Sequence, residues 1–270
     1  MSPATYACPD CKVLLDHLSC PGCSVEFPCV DGIPRFFSRD PKFRDTVDLA
    51  AAYDAIYKSR TGVWENQGRT PEFIRYFSSL LERHAGQRLL EIGCGEGFLL
   101  ATVNRGEKFA VDLSLEALRR ARAKGPAHFS LALGERLPFP DGHFDLITSV
   151  GVMEHFVDIG ETLREILRIL KPGGHYISLT HVELSLPEKI RAKIAEYFFP
   201  RPRPVRFARW LLSKLGPPLV SQPIQNRYTT EGARSSLAQS GFRVLDVLHR
   251  RNHPELPLIG PYVVIYVAQK

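Results

Sequence analysis

The chain has 270 residues, of which 44% are hydrophobic, and this size accommodates one large domain together with a small module. No run of 18 apolar residues occurs and no basic, apolar leader precedes the chain, so we predict neither a transmembrane helix nor a signal peptide and expect a cytoplasmic protein. In that reducing compartment, cysteines are expected as thiols or metal ligands rather than as disulfides.

Two matched cysteine pairs, CPDC and CPGC, lie near the N-terminus with eight residues between them. Each pair can form a turn that presents two thiolates to one tetrahedral ion, and four thiolates favour zinc in a closed structural site. A redox dithiol and four unrelated buried cysteines are the alternatives. The predicted zinc ligands are Cys8, Cys11, Cys20 and Cys23.

The segment from residue 6 to residue 37, which continues as "FPCVDGIPRFF", resembles the short zinc-ribbon modules of the Trm112-like kind that precede or accompany methyltransferases. We therefore place a zinc-ribbon module at residues 1–40 and a larger domain at residues 41–270. Within the larger domain, residues 183–228 are predicted to be a basic insert that caps the site.

Strands and helices alternate from residue 88 onward, which predicts an α/β domain with a doubly wound, mostly parallel sheet. An apolar helix is expected to follow the first strand and to run through Gly106. The last two predicted strands have no helical pattern between them, so we expect them to pair antiparallel. The predicted fold is Rossmann-like, with a seven-stranded sheet, an antiparallel last strand and a separate small zinc ribbon. The predicted strands are "RLLEIGC", "KFAVDLS", "FSLALGE", "FDLITSVGV", "HYISLTHV", "RVLDVLHRR" and "PYVVIYVAQ".

Three glycines on alternate positions, Gly93, Gly95 and Gly97, end the first of these strands. Glycine lets a strand turn sharply into a helix and lets a ligand approach the bare backbone. The spacing differs from that of the dinucleotide fingerprint, whose third glycine comes one residue later, so a nicotinamide cofactor is not the first choice. The triplet alone is a weak signal, because a tight turn requires glycine even where nothing binds.

An acidic residue, Asp112, ends the second strand, nineteen residues after Gly93. A carboxylate about 20 residues beyond a glycine loop reaches the ribose hydroxyls of a bound nucleoside, because the second strand lies beside the first. The alternative is a carboxylate that caps the following helix, a role for which Ser114 is better placed. Ribose binding is therefore the preferred prediction for Asp112.

Four motifs occur in order along the chain: "LLEIGCGEG", "AVDLS", "LPFPDGHFDLITSVGVMEHF" and "ILKPGGHYIS". Together they resemble class I S-adenosylmethionine (SAM) dependent methyltransferases, specifically the methyltransferases of ubiquinone and menaquinone synthesis, known as methyltransferase type 11. The resemblance covers about residues 50 to 182. It implies an enzyme that binds SAM, with the glycines facing the methionine part of the cofactor.

The resemblance also implies where individual residues lie against SAM. Glu91 and Gly93 would lie near the amino acid portion, Asp112 and Leu113 at the ribose and adenine, and Ser149 at the methionine end. The aromatic residues of "AYDAIYKSRTGVW", Tyr53, Tyr57 and Trp64, match an entry helix that covers the cofactor, as an aromatic face toward the sulfonium or as a plain hydrophobic lid. The predicted cofactor-binding residues are Tyr57, Glu91, Gly93, Cys94, Gly95, Asp112, Leu113, Gly134, Glu135 and Ser149.

The sequence departs from the family pattern at Leu133, where relatives usually carry an aspartate that accepts a hydrogen bond from the adenine amino group. Adenine recognition is then expected from backbone groups near Gly134 and Glu135, or from the Glu135 carboxylate.

Methyl transfer is an in-line displacement, so holding the acceptor and the methyl group in line supplies most of the catalysis. A base is needed only where the acceptor must lose a proton. His155, in "VMEHF" beyond the fourth strand, is the first candidate for that base, and His181 at the end of the fifth strand is the second. The alternative is that Glu154 and His155 only end the strand.

The net charge of +6 is concentrated in "KIRAKIAEYFFPRPRPVRFARWLLSKLG", which carries eight Lys or Arg and one Glu. Its aromatic residues, Tyr197, Phe198, Phe199, Phe207 and Trp210, lie among the arginines. Such a segment can lie on an anionic membrane surface and receive a lipid-linked acceptor, or it can track the phosphates and stack on the bases of RNA. A solvated helix packed on the domain is the third interpretation.

We conclude from the sequence that the chain is a SAM-dependent methyltransferase that modifies an O, N or C atom of a small-molecule or lipid-like acceptor. "SVGVMEHF" contains no Asn-Pro-Pro-Tyr-like run, which disfavours the base-amino methylases, and DNA is not expected as a partner. The alternatives are a ribosomal or transfer RNA base methyltransferase that uses the zinc ribbon to bind RNA, and a non-catalytic partner protein with the same fold.

Overall fold

A computed structural model describes residues 6–59, 71–183, 223–249 and 263–270, together with Leu186 and Ile190. The predicted positions Trp64, Tyr197, Phe198, Phe199, Phe207 and Trp210 lie outside the described residues, as does most of the basic segment. In the described part of the chain, no helix is both long enough and apolar enough to cross a membrane.

The seven predicted strands are all present, and they form one sheet with two further strands from the N-terminal segment. The strands are β1 (Ser19–Cys20), β2 (Val25–Glu26), β3 (Cys29–Val30), β4 (Ile33–Phe36), β5 (Arg88–Ile92), β6 (Glu107–Asp112), β7 (His128–Ala132), β8 (Phe144–Val150), β9 (Leu170–His181), β10 (Arg243–Leu248) and β11 (Val263–Gln269). The large sheet has the order β10-β11-β9-β8-β5-β6-β7-β4-β3, and β1 and β2 form a separate antiparallel pair.

The centre of the sheet is parallel from β9 to β4, and β11 runs antiparallel to both of its neighbours. The predicted antiparallel last strand is therefore confirmed. The reversal of strand order lies between β5 and β8, which pair in parallel although β6 and β7 lie between them in the chain. Ligands of doubly wound sheets bind beyond the carboxyl ends of the strands at such a switch point.

In the described ranges, five helices with given bounds pack against the sheet or cover its ends: α1 (Thr46–Ser59), α2 (Pro71–His84), α3 (Leu115–Lys124), α4 (Ile159–Ile169) and α5 (Thr230–Gln239). The two faces of the sheet carry separate apolar clusters. One contains Leu163 and Ile166 of α4, and the other contains Phe77 and Leu81 of α2. Side chains alternate between the faces along each strand, so both clusters draw on the same strands.

The predicted zinc module adds β4, which pairs with β7, and β3, which pairs with β4, so the sheet has nine strands rather than the predicted seven. Phe36 pairs with Ala132 at the carboxyl end of β7. Tyr6 stacks on Phe36 and Phe139, with ring centroids 4.7 and 5.8 Å away. The module and the larger domain therefore share both a sheet and an apolar cluster.

The helix predicted between the glycine loop and Gly106 is wrong. Turns follow Gly97, and a single 3₁₀ turn covers Leu100–Thr102. Gly97 and Gly106 both have positive φ and lie only nine positions apart, so the connection is too short for several α-helical turns. The buried side chains of Leu99, Leu100 and Val103 still pack beneath the sheet as the apolar pattern predicted.

Candidate functional site

The glycine loop lies at the carboxyl end of β5, and Gly93, Gly95 and Gly97 all have positive φ, between +52° and +69°. A Cβ at Gly93 would lie 2.5 Å from Cγ2 of Val152, and a Cβ at Gly97 would lie 2.7 Å from the Cβ of Ala121. Side chains of the protein itself therefore explain two of the glycines, apart from any ligand. The turn after β8 and helix α3 therefore pack directly against the backbone of the glycine loop.

Asp112 ends β6 beside this loop, as the spacing predicted. Its Oδ2 accepts a hydrogen bond from the Gly95 N–H at 2.8 Å, and its Oδ1 accepts one from the Ser114 N–H at 2.9 Å. Burial raises the pKa of the carboxyl, while these backbone donors oppose the shift. Each carboxylate oxygen can accept a second hydrogen bond, so Asp112 can still receive a pair of vicinal hydroxyls.

Helix α1 covers the carboxyl ends of the strands, and its two tyrosines, Tyr53 and Tyr57, have different surroundings. Tyr57, the predicted cofactor ligand, is buried and packs against Ala117 of α3. The buried hydroxyl of Tyr53, one turn earlier, forms no hydrogen bond with any described residue. Burial and the nearby charges of Asp112, Glu154 and Glu135 raise the pKa of Tyr53. Tyr53 is thus the residue of α1 that faces the carboxylates of the site.

Asp54 joins α1 to the first turn of α3. Its Oδ1 accepts hydrogen bonds from the Ser114 hydroxyl and from the Glu116 N–H, each at 2.8 Å. Ser114 is the N-cap of α3, as expected, and its Oγ accepts from the Ala117 N–H at 3.1 Å. Asp112, Ser114 and Asp54 therefore form one continuous chain of hydrogen bonds from the sheet to the covering helix.

Gly134 and Glu135 lie in the 3₁₀ turn after β7, where adenine recognition was expected. Both are fully buried, and a Cβ at Gly134 would lie 3.1 to 3.2 Å from Thr162 and Phe156. Oε1 of Glu135 accepts a hydrogen bond from the Asp158 N–H at 3.0 Å, and burial raises the pKa of the carboxyl. One oxygen of Glu135 thus holds the loop before α4, and Oε2 is buried without a hydrogen bond from any described residue.

Glu91, Cys94 and Leu113 surround the base of the glycine loop. Glu91 and Cys94 are buried, and Leu113 is half-buried. Burial raises the pKa of the Cys94 thiol well above its usual range, and the carboxylates of Asp112 and Glu91 add to the rise. Cys94 is therefore a neutral thiol, which suits a small lining residue and not a nucleophile.

Ser149 turns its side chain into the core. Its hydroxyl is 2.7 Å from the hydroxyl of Tyr176, and both residues are fully buried. Only the main chain of Ser149 is then left to contact a ligand at the end of β8.

The turn after β8 brings a carboxylate and an imidazole together. Oε1 of Glu154 lies 2.6 Å from Nδ1 of His181, the last residue of β9. Both groups pack over Gly151, where a Cβ would lie 3.7 Å from the imidazole and 3.9 Å from the carboxylate. His155, the first candidate for the base, has its Nδ1 against the carbonyl of Ile224. The pairing of Glu154 with His181 was not anticipated from the sequence.

The four predicted zinc ligands converge, with their Sγ atoms all within 4.8 Å of one another. The Sγ atoms of Cys8 and Cys23 are 3.9 Å apart, and those of Cys11 and Cys20 are 3.4 Å apart. Thiolates 2.3 Å from a tetrahedral zinc ion are about 3.8 Å from one another, so the cluster fits that ion.

The arrangement at the carboxyl ends of the strands also fits a nucleoside with a positive charge. Buried oxygens without a hydrogen-bonded partner among the described residues, those of Tyr53, Glu135 and Glu154, lie in the same region as Asp112. Buried polar atoms of this kind are normally satisfied by water or a ligand. The charges of Asp112, Glu154 and Glu135, all near Tyr53, favour a cation.

Comparison with known proteins finds similarity to methyltransferases. Residues 90–178 match the model of a family described as "Methyltransferase domain". The chain is 32% identical over 163 residues to the "Ubiquinone/menaquinone biosynthesis C-methyltransferase UbiE" of Vibrio cholerae, a match that covers 55% of this chain and 58% of that protein. It is 35% identical over 144 residues to the "Demethylmenaquinone methyltransferase" of Symbiobacterium thermophilum, covering 48% of this chain and 55% of that protein. The chain thus spans little more than half the length of these relatives.

Solved structures show the same fold at low identity. A chain from the complex of the Haloferax volcanii Trm112 methyltransferase activator with its methyltransferase superposes with a TM-score of 0.52 at 18% identity, covering 83% of this chain and 97% of that one. The SAM-dependent methyltransferase TM1293 of Thermotoga maritima gives 0.53 at 20% identity, covering 80% and 99%. The [4+2]-cyclase SpnF gives 0.56 at 19% identity, covering 83% and 96%.

Residues 90–178 therefore match a methyltransferase domain, in the part of the chain where the ordered motifs lie. The fold alone does not define the reaction, since a cyclase shares it.

Proposed function

We propose that this methyltransferase domain transfers a methyl group from SAM to a small-molecule or lipid-like acceptor. When bound, SAM supplies an electrophilic methyl group on a sulfonium. The residues of the chain bind and orient that group, exclude water and present the acceptor in line with it.

The observation that carries the proposal is the placement of Asp112 beside the glycine loop under α1. Its carboxylate would take the ribose hydroxyls while it holds the Gly95 and Ser114 amides. Tyr53 would close the cavity from above and bring an aromatic face toward the sulfonium. Backbone groups of Gly134 and Glu135, or Oε2 of the Glu135 carboxylate, remain the proposed adenine contacts, because only Oε1 holds the Asp158 amide.

The acceptor class is proposed from the curated relatives. Their names refer to ubiquinone and menaquinone biosynthesis and to demethylmenaquinone. A basic, aromatic segment between β9 and α5 suits an acceptor held at an anionic membrane surface. We therefore favour a lipid-like acceptor over RNA, and we assign the proposed zinc ion a structural role.

Cofactor binding tests the first half of the proposal. Calorimetry with SAM and with S-adenosylhomocysteine should give one binding site per chain. The D112N substitution should weaken the binding of each ligand by at least about tenfold, or 1.4 kcal/mol. D141N is the matched control, because Asp141 is exposed and pairs with Arg168 far from the glycine loop. Absence of heat with both ligands on folded, zinc-loaded protein would overturn the proposal.

Acceptor class is tested by transfer from methyl-labelled SAM. Reduced demethylmenaquinone, a total lipid extract and total RNA are supplied in parallel reactions. Label in the lipid fractions supports the proposal. Label in RNA that falls steeply with salt would replace it with an RNA methyltransferase. Cofactor binding without transfer to any fraction would point to a non-catalytic partner protein.

A further inference from the structure

A carboxylate-imidazole pair lies at the acceptor end of the site. Glu154 is almost fully buried, its side chain being 6% exposed, whereas the His181 side chain is 56% exposed. The turn that carries Glu154 is held in place, because the Gly151 N–H donates to the Leu179 carbonyl at 2.8 Å and the Asn226 N–H donates to the Glu154 carbonyl at 2.7 Å. A rigid buried carboxylate thus orients an exposed ring.

The contact fixes which nitrogen of His181 is available. A carboxylate at Nδ1 accepts the Nδ1–H, so Nε2 carries the lone pair of the neutral ring. None of the hydrogen bonds among the described residues involves Nε2. A neighbouring carboxylate also stabilises the imidazolium that forms when Nε2 takes a proton.

His155 is less suited to the same role. Its Nδ1 faces the Ile224 carbonyl, which is neutral and stabilises an imidazolium less than a carboxylate does. Next to it, the Asn226 side chain donates to the Phe156 carbonyl at 2.7 Å. The two contacts fasten residues 224–226 to the turn after β8, so a positional role accounts for His155.

Strand order places His181 two strands away from the glycine loop. The glycine loop follows β5, β8 pairs with β5, and β9 pairs with β8. Adjacent strands lie about 4.8 Å apart, so the end of β9 is about 10 Å from the end of β5. An acceptor in line with the methyl group would lie between them. Glu154 is also one of the charges near the Tyr53 hydroxyl, which connects the pair to the cofactor cavity.

We propose that His181, oriented by Glu154, is the general base that removes a proton from the acceptor. The inference rests on the proposed methyltransferase function and narrows its substrate class. It requires an acceptor with a proton to lose, namely a hydroxyl, or a ring carbon activated by a phenolic hydroxyl. A neutral amine, which can attack before it loses a proton, would not need this pair.

The step balances without a further reactant. The acceptor's O–H bond breaks, and the proton moves to Nε2 of His181. In a hydroxyl acceptor, the electron pair left on oxygen forms the new bond to the methyl carbon. In an activated ring carbon, the delocalised electrons of the phenolate form that bond from carbon, and the ring carbon then loses its own proton to water. The C–S bonding pair stays on sulfur, which becomes a neutral thioether, and the imidazolium later releases its proton to water.

Kinetics test the proposal with the acceptor that the labelled-methyl experiment identifies. H181A should lower kcat by about 100-fold or more, with the Kd for SAM within about twofold, since general bases contribute roughly 10²–10⁴-fold. Added imidazole should raise the kcat of H181A roughly tenfold, because it can replace the missing base. H175A is the matched control, because His175 lies on the same strand about 20 Å away. Loss and imidazole rescue in H155A instead of H181A would overturn the proposal.

The ring tautomer gives a test that needs no acceptor. Imidazole ¹⁵N shifts, assigned by comparison with H181A, should show that the neutral ring of His181 carries its proton on Nδ1. A neutral ring with its proton on Nε2 would overturn the proposal, because that nitrogen could not accept a proton. Failure of the proposed function can be told apart from a wrong choice of base, because the wild-type protein would then not bind SAM at all.

Discussion

Asp54 accepts hydrogen bonds from the Ser114 hydroxyl and the Glu116 amide, each at 2.8 Å, and so fastens the covering helix α1 to the N-terminus of α3. Ser114 in turn donates its backbone N–H to Asp112. The position of Tyr53 above the carboxylates therefore depends on a side chain that need not touch the cofactor.

D54A is expected to weaken SAM binding by about tenfold. Loss of a cap-type acceptor removes about 1–2 kcal/mol of local stability, which loosens α1 over the site. Calorimetry measures the Kd. D48A is the control, since Asp48 is exposed in the first turn of the same helix. Equal affinities in D54A and wild type would show that α1 does not cover the cofactor.

G93A is expected to lower the free energy of unfolding by more than about 2 kcal/mol. Alanine is strained at the positive φ of this position, and its Cβ would also clash with Val152. The double variant G93A/V152A removes the clash and should retain a penalty of about 1–2 kcal/mol from the backbone. Denaturant titration measures both values. A double variant no more stable than G93A would contradict the assignment of Val152 as the obstacle.

His143 should make the protein acid-sensitive below about pH 6.5, the ordinary pKa of histidine. Burial, with the nearby Arg88 charge, lowers its pKa to about 4. Arg88 donates to Nδ1 at 3.3 Å, so the folded ring is neutral. Between pH 6.5 and 4 the unfolded chain binds a proton that the folded ring does not bind. The free energy of unfolding therefore has its full value above pH 6.5 and decreases by up to about 3 kcal/mol as the pH falls to 4.

The H143Q variant tests this contribution. Its free energy of unfolding, measured by urea titration at several pH values, should fall less steeply than that of the wild type across the same window. H17Q is the control, because His17 is exposed on the N-terminal module. Parallel curves for H143Q and wild type would rule out His143 as the source.

Zinc removal should weaken cofactor binding as well as stability. The module contributes Phe36, which pairs with Ala132 just before the turn that carries Gly134 and Glu135. C8S should lose the metal and at least about 2 kcal/mol of stability, because binding to a structural zinc site is coupled to folding. C29S is the control, since Cys29 is exposed and lies outside the thiol cluster.

Metal content by plasma emission, melting temperature and the Kd for SAM are measured on the same samples. C8S should be impaired in all three measurements, whereas C29S should match the wild type. A metal-free C8S protein with unchanged SAM affinity would separate the module from the cofactor site.

Local patterns predicted much of this structure correctly. The distance from Gly93 to Asp112 placed the carboxylate beside the loop, and Ser114 was expected as the cap of α3. The first inference rests on the short reach between adjacent strands, and the second on the preference of serine for N-cap positions. By contrast, the segment from Gly97 to Gly106 has a helix-like apolar pattern but forms turns and a single 3₁₀ turn.

Other features depend on contacts that no local pattern encodes. Tyr53 and Tyr57 are one helical turn apart on the same face, so periodicity cannot tell which one reaches the carboxylates. Glu154 and His181 are separated by 27 positions and meet only because β8 and β9 pair in parallel. The addition of β4 to the sheet involves two residue pairs, too few to leave a signal in the sequence.

The pairing of β4 with β7 also bears on how the chain can be divided. Without the first forty residues, β7 would become an outer strand whose free amides and carbonyls could recruit another polypeptide. A shortened protein that begins at the predicted boundary would therefore tend to self-associate, even with every catalytic group intact. The N-terminal module is therefore expected to keep the larger domain soluble as well as to hold the metal ion.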